Sequence, residues 1–221
     1  MRVDSPIELE GFHAVKHALR FAPELVRRVE AVSAARALAL ADELAPDVRG
    51  ALERLLVEGP VAHPTGVRGE ADRPAVDATV LTRRTAPLVL LDDPRRPGNA
   101  GAAIRVAAAA GASGLAVVGA LDPWHPAVVR GSAGLHYALP VLTCALADVT
   151  GPVVALDADG QPWSALPDDV VLVVGSERAG LSDATRVRAD RVVALPMRPG
   201  VSSLNLATAV SAALYAWRLT R

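Results

Sequence analysis

The 221-residue sequence is poor in cysteine, in aromatic residues and in lysine. Its single cysteine, Cys144, excludes an intrachain disulfide and favours a reducing compartment, so we expect a cytoplasmic protein. Aromatic residues make up 3% of the chain and hydrophobic residues 51%, so the core must rely on small aliphatic side chains and close backbone approach. All basic residues except Lys16 are arginines, which suits phosphate binding but also fits a GC-rich genome.

The sequence also lacks a basic excess and a long apolar segment. The formal net charge is −1 at pH 7, which is unusual for a nucleic-acid enzyme, although local patches rather than totals bind phosphates. Arg, Asp or Pro interrupts each apolar stretch before about 18 residues, so no transmembrane helix is expected. The N-terminus carries charges and Pro6 where a signal peptide needs apolar residues. No His, Cys and acidic residues have metal-ligand spacing, so no metal is expected.

The chain changes character near residue 85. In the first part, prolines suit helix starts, the Ala-rich stretch 25–44 favours helix, and Pro46 ends it. We therefore expect helices over about 6–19, 25–44 and 47–57, which makes residues 1–85 a small, mainly helical N-terminal module. Residues 86–221 alternate apolar segments of strand length with helical segments, which predicts an α/β domain with a parallel sheet.

The first candidate site segment is Pro97-Gly98-Asn99-Ala100-Gly101, which follows a strand and opens a helix. Asn99 suits the N-cap of that helix. Arg105 is the only charged residue between positions 97 and 121, and burying an unpaired guanidinium is costly, so it should face a cleft, a carboxylate or a phosphate. The small residues Gly101 and Ala102, one turn earlier, would let a substrate approach. A structural ion pair or an exposed helix face explains Arg105 equally well.

Two further segments place polar residues after buried strands. The apolar run 170–174 leads into Gly175-Ser176-Glu177, and ligands of α/β sheets bind at the carboxyl ends of strands. Glu177 could instead stabilise the positive end of a following helix. The third segment starts at Leu195, passes through a Pro/Gly loop, and reaches Asn205 at the start of an Ala-rich helix.

Two arginine pairs, Arg83-Arg84 and Arg95-Arg96, flank the first strand of the second part. They lie close in sequence to the first candidate segment. We therefore expect them to meet phosphates, with a solvated surface position as the alternative.

In this order and spacing, the three segments resemble the three motifs of the SpoU/TrmH branch of the SPOUT methyltransferases. The resemblance covers residues 87–219 and includes the intervening Val129-Arg130-Gly131-Ser132-Ala133-Gly134. It implies a parallel α/β sheet whose C-terminal segment threads through a loop and forms a trefoil knot. Residues 1–85 resemble loosely the small RNA-binding extension of many members.

The resemblance implies methyl transfer from S-adenosylmethionine to a ribose 2′-hydroxyl of rRNA or tRNA by a homodimer. The catalytic positions that it implies are Arg105, Asn99, Glu177, Ser203 and Asn205. The cofactor positions that it implies are Gly175, Leu195, Met197, Ser203 and Leu204. An arginine pKa of roughly 12.5–13.8 makes a neutral guanidine scarce at pH 7, so we expect Arg105 to hold a phosphate and orient the hydroxyl.

Two other functions stay open at this point. A non-catalytic RNA-binding or assembly protein could retain the fold, although Asn99, Arg105, Glu177 and Asn205 are all present. A small-molecule methyltransferase would fit the near-neutral charge. Binding of S-adenosylmethionine tests the first alternative, and activity on a mononucleoside without RNA tests the second.

Overall fold

The computed structural model describes residues 6–220, which form two compact units. The first unit contains the described residues up to Ala75 together with Ser132–Ala138. The second contains Val76–Gly131 and residues 139–220. No helix within residues 6–220 combines the length and the hydropathy that a bilayer span requires.

The first unit is built on a four-stranded sheet. Its strands are β1 (Ile7–Glu10), β2 (Val26–Ala31), β3 (Leu56–Glu58) and β4 (Val67–Ala71). Their order is β1-β4-β2-β3, with β4 antiparallel to both neighbours and β3 parallel to β2. The helices of this unit are α1 (Gly11–Phe21), α2 (Ala34–Leu44) and α3 (Arg49–Leu55). The helices supply buried side chains such as Phe12 and Leu52, which complete a core with the sheet.

The expectation of a mainly helical first part is wrong at two places. Residues 7–10 form β1 and residues 26–31 form β2, although both segments were predicted as helix. In β2, Val26, Val29 and Ala31 are buried, and β-branched side chains pack well on a pleated surface. Local helix propensity is a weak preference that such burial overrides. The Ala-rich helix begins only after Ser33, whose hydroxyl accepts a hydrogen bond from the Arg36 N–H.

The second unit is an α/β domain on a six-stranded sheet. Its strands are β5 (Leu88–Asp92), β6 (Gly114–Val118), β7 (Val141–Thr143), β8 (Val153–Pro162), β9 (Val171–Gly175) and β10 (Arg191–Ala194). Their order is β10-β8-β9-β5-β6-β7, and each neighbouring pair is parallel, which confirms the predicted sheet. Four helices accompany it: α4 (Pro97–Ala110), α5 (Pro126–Ser132), α6 (Asp183–Arg188) and α7 (Leu206–Leu219).

The two central strands, β5 and β9, determine where a ligand site can form. Residues 88–91 and 171–173 are fully buried aliphatic residues, as expected for parallel strands with both faces covered. The strands are in register, so Asp92 and Gly175 lie side by side where the strands end. The strand order reverses between β5 and β9, because the chain builds β6 and β7 on one side of β5 and the remaining strands on the other. Such switch points are where open α/β sheets bind ligands.

Candidate functional site

A cavity of about 520 Å³ lies at the carboxyl-terminal edge of the parallel sheet. Its volume falls within the range of about 300–1,000 Å³ that is typical of small-molecule sites. The lining comes from the start of α4, from the turn after β9 and from the loop between β10 and α7, together with part of β8. The fold therefore brings the three candidate segments, which are far apart in sequence, to one cavity.

The positions that the sequence singled out fall into two groups. Eight of them line the cavity: Asn99, Gly175, Glu177, Leu195, Met197, Ser203, Leu204 and Asn205. Arg105 does not line it and is exposed on α4. Arg105 lies six positions after Asn99 on the helix, which turns the two side chains about 120° apart around its axis. Among residues 6–220, the Arg105 guanidinium has no hydrogen-bond or ion-pair partner. In the single chain, the exposed helix face is therefore the correct description of Arg105.

A chain of side-chain hydrogen bonds connects the three segments. Asn99 donates its Nδ2 amide to Glu177 Oε1 at 2.7 Å. Asn205 donates its own Nδ2 amide to Asn99 Oδ1 at 3.0 Å. Asn205 Oδ1 then accepts the Ala207 N–H at 2.9 Å, which caps α7. Because a carboxylate can only accept, Glu177 fixes the orientation of the Asn99 amide, and Asn99 in turn fixes that of Asn205.

Glu177 is held by the amino-terminal end of α4. Its Oε2 accepts the Arg95 N–H at 2.9 Å and its Oε1 accepts the Arg96 N–H at 3.3 Å. Partial burial raises the pKa of this carboxyl, but the hydrogen bonds from Arg95 N–H, from Asn99 and from Arg96 N–H outweigh it, so the net pKa lies below the ordinary glutamate value. Glu177 therefore stabilises the positive amino-terminal end of a helix, as the alternative interpretation of the sequence expected. The helix is α4, however, which precedes Glu177 in the chain rather than following it.

Gly175 and Gly180 form a tight turn that projects Glu177 and Arg178. Ser176 and Gly180 exchange two backbone hydrogen bonds of 2.9 and 3.1 Å. A Cβ atom at residue 175 would lie 2.3 Å from the carbonyl carbon of Gly180, so no larger residue fits there without shifting the turn. Glycine at this position is therefore required by the turn itself, in addition to its place in the cavity lining.

The loop between β10 and α7 forms an exposed wall of the cavity. Residues 198–205 are exposed, including Leu204, which is 41% exposed. Across residues 198–204, all of which the structure describes, the one backbone–backbone hydrogen bond is from the Val201 N–H to the Arg198 carbonyl. The remaining backbone groups of this loop are therefore available to a ligand or to solvent.

Sequence reasoning missed the contribution of β8. The apolar run of this strand ends at Leu156, but β8 continues to Pro162, and Asp157 and Ala158 line the cavity. The pairing with β10 shifts register after Val192, so residues 157–160 lie outside the regular ladder. Asp157 accepts the Asp159 N–H at 3.1 Å and forms an ion pair with Arg186. The run Asp-Ala-Asp-Gly at 157–160 is a turn signal that could have indicated this irregularity.

The expectation that the small size of Gly101 lets a substrate approach is wrong. A Cβ atom at Gly101 would lie 2.4 Å from the Val128 carbonyl oxygen and 2.8 Å from Gly131 Cα, so Gly101 allows α4 and α5 to pack closely. A Cβ atom at Gly98 would have no neighbour within 4 Å. Gly101 is thus a packing residue, and Gly98 faces open space.

The two arginine pairs have different surroundings. Arg84 donates to the backbone carbonyls of Leu81, Thr150 and Asp169. Arg83 and Arg84 border a shallow depression with Ser113 and Pro140, the residues just before β6 and β7, at the amino-terminal edge of the sheet. Their nearness in sequence to the first segment was therefore misleading.

Arg95 and Arg96, by contrast, lie at the carboxyl-terminal edge of the sheet. Arg95 pairs with Asp93, and Arg96 lines the cavity. The expected closeness to the site therefore holds for this pair. Within residues 6–220, no group of three or more His, Cys, Asp or Glu side chains is arranged to hold a metal ion.

The sequence of the chain is similar to a methylase family and to individual RNA methyltransferases. The model of the "SpoU rRNA Methylase family" matches residues 86–215, more than half of the chain. A "23S rRNA (uridine(2479)-2'-O)-methyltransferase" of Streptomyces viridochromogenes is 39% identical over 144 residues, which cover 58% of this chain and 50% of that protein. An "Uncharacterized tRNA/rRNA methyltransferase" of Mycolicibacterium vanbaalenii is 38% identical over 165 residues, 69% of this chain and 50% of that protein. The chain thus spans about half the length of the curated relatives it matches.

Solved structures resemble the whole described chain. The SpoU methyltransferase AviRb from Streptomyces viridochromogenes in complex with AdoMet has a TM-score of 0.76 and 27% identity, covering 98% of this chain and 91% of that chain. An rRNA methyltransferase from Sinorhizobium meliloti has a TM-score of 0.74 and 26% identity, covering 98% of this chain and 88% of that chain. The similarity includes the first unit, since coverage of this chain is nearly complete.

Proposed function

Because the chain belongs to the SpoU rRNA Methylase family, we propose that it transfers a methyl group from S-adenosylmethionine to a ribose 2′-hydroxyl of rRNA or tRNA. The observation that carries the proposal is the convergence of three distant segments on one cavity, joined by the hydrogen bonds from Asn205 to Asn99 and from Asn99 to Glu177. The relative from Streptomyces viridochromogenes whose name states a ribose 2′-O-methylation supports the same reaction.

The cavity fits S-adenosylmethionine in size and in lining. We assign the cofactor to Gly175, Leu195, Met197, Ser203 and Leu204, which combine apolar side chains with a hydroxyl and a glycine. Adenine carries hydrogen-bond donors and acceptors on its edge, and the loop over residues 198–204 offers backbone groups without protein partners. When bound, this cofactor supplies a methyl group activated by a positively charged sulfur. AviRb, a solved neighbour, carries AdoMet, which supports the assignment.

The residues of this chain contribute mainly by positioning. The hydrogen bonds of Asn99, Glu177 and Asn205 fix the positions of three elements relative to one another. These elements are the start of α4, the turn after β9 and the start of α7, and their fixed arrangement preorganises the site. Glu177 keeps its negative charge at neutral pH because its hydrogen bonds favour the ionised form, so it serves as an acceptor and not as a proton donor. We assign Arg105 to hold a phosphate of the RNA and to orient the reacting hydroxyl. Ser203 lies on the cavity wall, where it could bind the cofactor or the ribose.

We also propose that the protein acts as a homodimer in which a second copy completes the site. Arg105 lies outside the cavity of its own chain, which leaves that cavity without the implied arginine. The loop and α7 expose apolar side chains, among them Val201, Tyr215 and Leu219. Covering these side chains with a second copy would remove apolar surface from water and could bring an Arg105 to each cavity.

The finer features of the fold belong to the same proposal. We propose a trefoil knot formed by the segment from β10 to α7. In support, β10 lies at the sheet edge, whereas α7 packs against α4 and β9, so residues 195–205 must cross back over the sheet. We further propose that residues 1–85 serve as an RNA-binding extension of a catalytic domain at 86–221, and that the protein works in the cytoplasm.

The test of this function is a map of 2′-O-methylation in total RNA from a deletion strain and from wild type. We expect one ribose methylation to disappear, and to return when the wild-type gene, but not an Asn99→Ala gene, is restored. Identical maps would rule out the proposed reaction. Calorimetry with S-adenosylmethionine tests the alternative of a non-catalytic RNA-binding protein, because that alternative expects no binding.

A further inference from the structure

The arginines of this chain differ in whether their guanidinium groups have hydrogen-bond or ion-pair partners. Most arginines of the described chain are engaged: examples are Arg20 with Asp47, Arg68 with Glu30 and Arg186 with Asp157. A smaller set, within residues 6–220, has a guanidinium with neither a hydrogen-bond nor an ion-pair partner. In the first unit these are Arg36 and Arg54. In the second unit they are Arg83, Arg96, Arg105, Arg178 and Arg198.

Three of the unpaired arginines belong to the cavity or its exposed loop. Arg96 and Arg178 both line the cavity, the first from the residue before α4 and the second from the turn after β9. Arg198 lies in the loop between Met197 and Ser202, two residues that also line it. All three side chains are exposed, so they reach solvent rather than a protein partner.

The acids of the same region do not cancel these charges. Asp157 is neutralised by Arg186, and Asp93 by Arg95. Glu177 uses its oxygens for Asn99 and for the backbone N–H groups of residues 95 and 96. Glu177 keeps its charge, but the three acids named here face five arginines, which are Arg95, Arg96, Arg178, Arg186 and Arg198. Among these residues the cations therefore exceed the anions by two, although the whole chain carries a net charge of −1. A local excess of this kind attracts polyanions irrespective of the total charge.

We infer that Arg96, Arg178 and Arg198, which we call the arginine rim, bind phosphates of the RNA strand that enters the cavity. The inference rests on the proposed function in that it takes RNA as the polymer. Bidentate guanidinium–phosphate contacts at three points would hold the strand with one ribose facing the cavity. Phosphate contacts position a nucleic acid without reading its bases, so the rim sets the register of the strand and not the sequence preference.

The experiment measures binding of a fluorescein-labelled single-stranded oligouridylate by the full chain across a series of salt concentrations. Each of Arg96→Gln, Arg178→Gln and Arg198→Gln should weaken binding several-fold. The logarithm of the binding constant falls as the logarithm of the salt concentration rises. Each variant should make this slope shallower by about 0.7, the value for one phosphate contact on a single strand. The corresponding Arg→Lys variants should retain the slope, because the charge remains.

Arg83→Gln is the matched control, since Arg83 is also exposed and unpaired but lies at the opposite edge of the sheet. It should leave the slope unchanged. The inference is overturned if the rim variants keep the wild-type slope, or if Arg83→Gln reduces it equally. It is also overturned if the rim variants lose affinity for S-adenosylmethionine while the RNA slope stays constant, because the arginines would then bind the cofactor carboxylate. The proposed function fails separately, if the wild-type chain neither binds S-adenosylmethionine nor methylates rRNA or tRNA.

Discussion

The side-chain amide of Asn205 donates a hydrogen bond to Asn99 Oδ1 at 3.0 Å, across a sequence separation of 106 residues. This contact joins the amino-terminal ends of α4 and α7, because Asn205 also caps α7 and Asn99 is bound to Glu177 at the start of α4. Two helices and the turn after β9 thereby share one polar network, in which each amide has a single consistent orientation.

Replacement of Asn205 separates the two roles of its side chain. Asn205→Asp keeps an oxygen for the Ala207 N–H but has no donor for Asn99, so helix stability should change by less than about 1 kcal/mol while methylation falls. Asn205→Ala removes both bonds and should also cost about 1 kcal/mol of stability. Urea denaturation and methylation of total RNA are measured in parallel. An Asn205→Asp enzyme with wild-type activity would contradict the positioning role of the contact.

Glu177 should make stability depend on pH. Its folded pKa lies below the ordinary value, so its contribution is fully present above the unfolded pKa of about 4.3 and is lost as pH falls through the lower folded pKa. Glu177→Gln should therefore cost roughly 1 kcal/mol at pH 7, with solvent screening allowed for, and the difference from wild type should vanish in acid. Urea denaturation at several pH values measures it. As a control, Glu53→Gln removes an acid that is exposed and paired with Arg49, and it should have a smaller effect.

Two glycines of α4 should respond in opposite directions to alanine. At Gly101 the added methyl meets the Val128 carbonyl oxygen at 2.4 Å, and overpacking of this kind costs about 1–3 kcal/mol. At Gly98 the methyl has no neighbour within 4 Å, so Gly98→Ala should stabilise the helix by up to about 1 kcal/mol. Thermal or urea unfolding of the two variants provides the comparison. Equal effects at both positions would mean that the α4–α5 contact is looser than described.

Arg105 should affect turnover without affecting cofactor binding. It lies outside the cavity of its own chain, so Arg105→Lys should retain the wild-type affinity for S-adenosylmethionine in calorimetry. Because an ammonium cannot reproduce the planar fork of a guanidinium, the same variant should lose about a hundred-fold in turnover. Near-normal turnover by Arg105→Lys would exclude any role that needs the fork.

Cys144 should be an unreactive thiol in the folded protein. Partial burial raises its pKa to about 11, with a smaller contribution from the nearby Asp148 carboxylate, so hardly any thiolate exists at pH 8. Iodoacetamide labelling at pH 8 should be slow in buffer and fast in urea, where the pKa returns to about 8.5. Equal labelling rates in both solutions would show that the thiol is not protected.

The parallel sheet could be predicted because the patterns that indicate its strands and helices each lie within a short segment of the chain. Apolar runs such as residues 88–91 and 170–174 have the length of strands and are followed by Asp or Gly, which favours buried strands over helices. The resemblance of the three candidate segments to the SpoU/TrmH motifs pointed to Asn99, Glu177 and Asn205, all of which line the cavity. In the first unit the same local reasoning failed for β1 and β2, because both pair with β4, which lies far away in sequence.

By itself, the amino-acid sequence determined which segments become strands and helices in the second unit, and which polar residues follow the central strands. Only the tertiary structure decided which side chains meet through hydrogen bonds and ion pairs. It set the Glu177 carboxylate on the start of α4 and turned Arg105 away from the cavity. It also left Arg96 and Arg178 at the exposed rim of the cavity without a partner among residues 6–220. The physical reason is that strand and helix preference depends on neighbouring residues, whereas hydrogen-bond and ion-pair partners depend on strand order, which brings together residues separated by much of the chain.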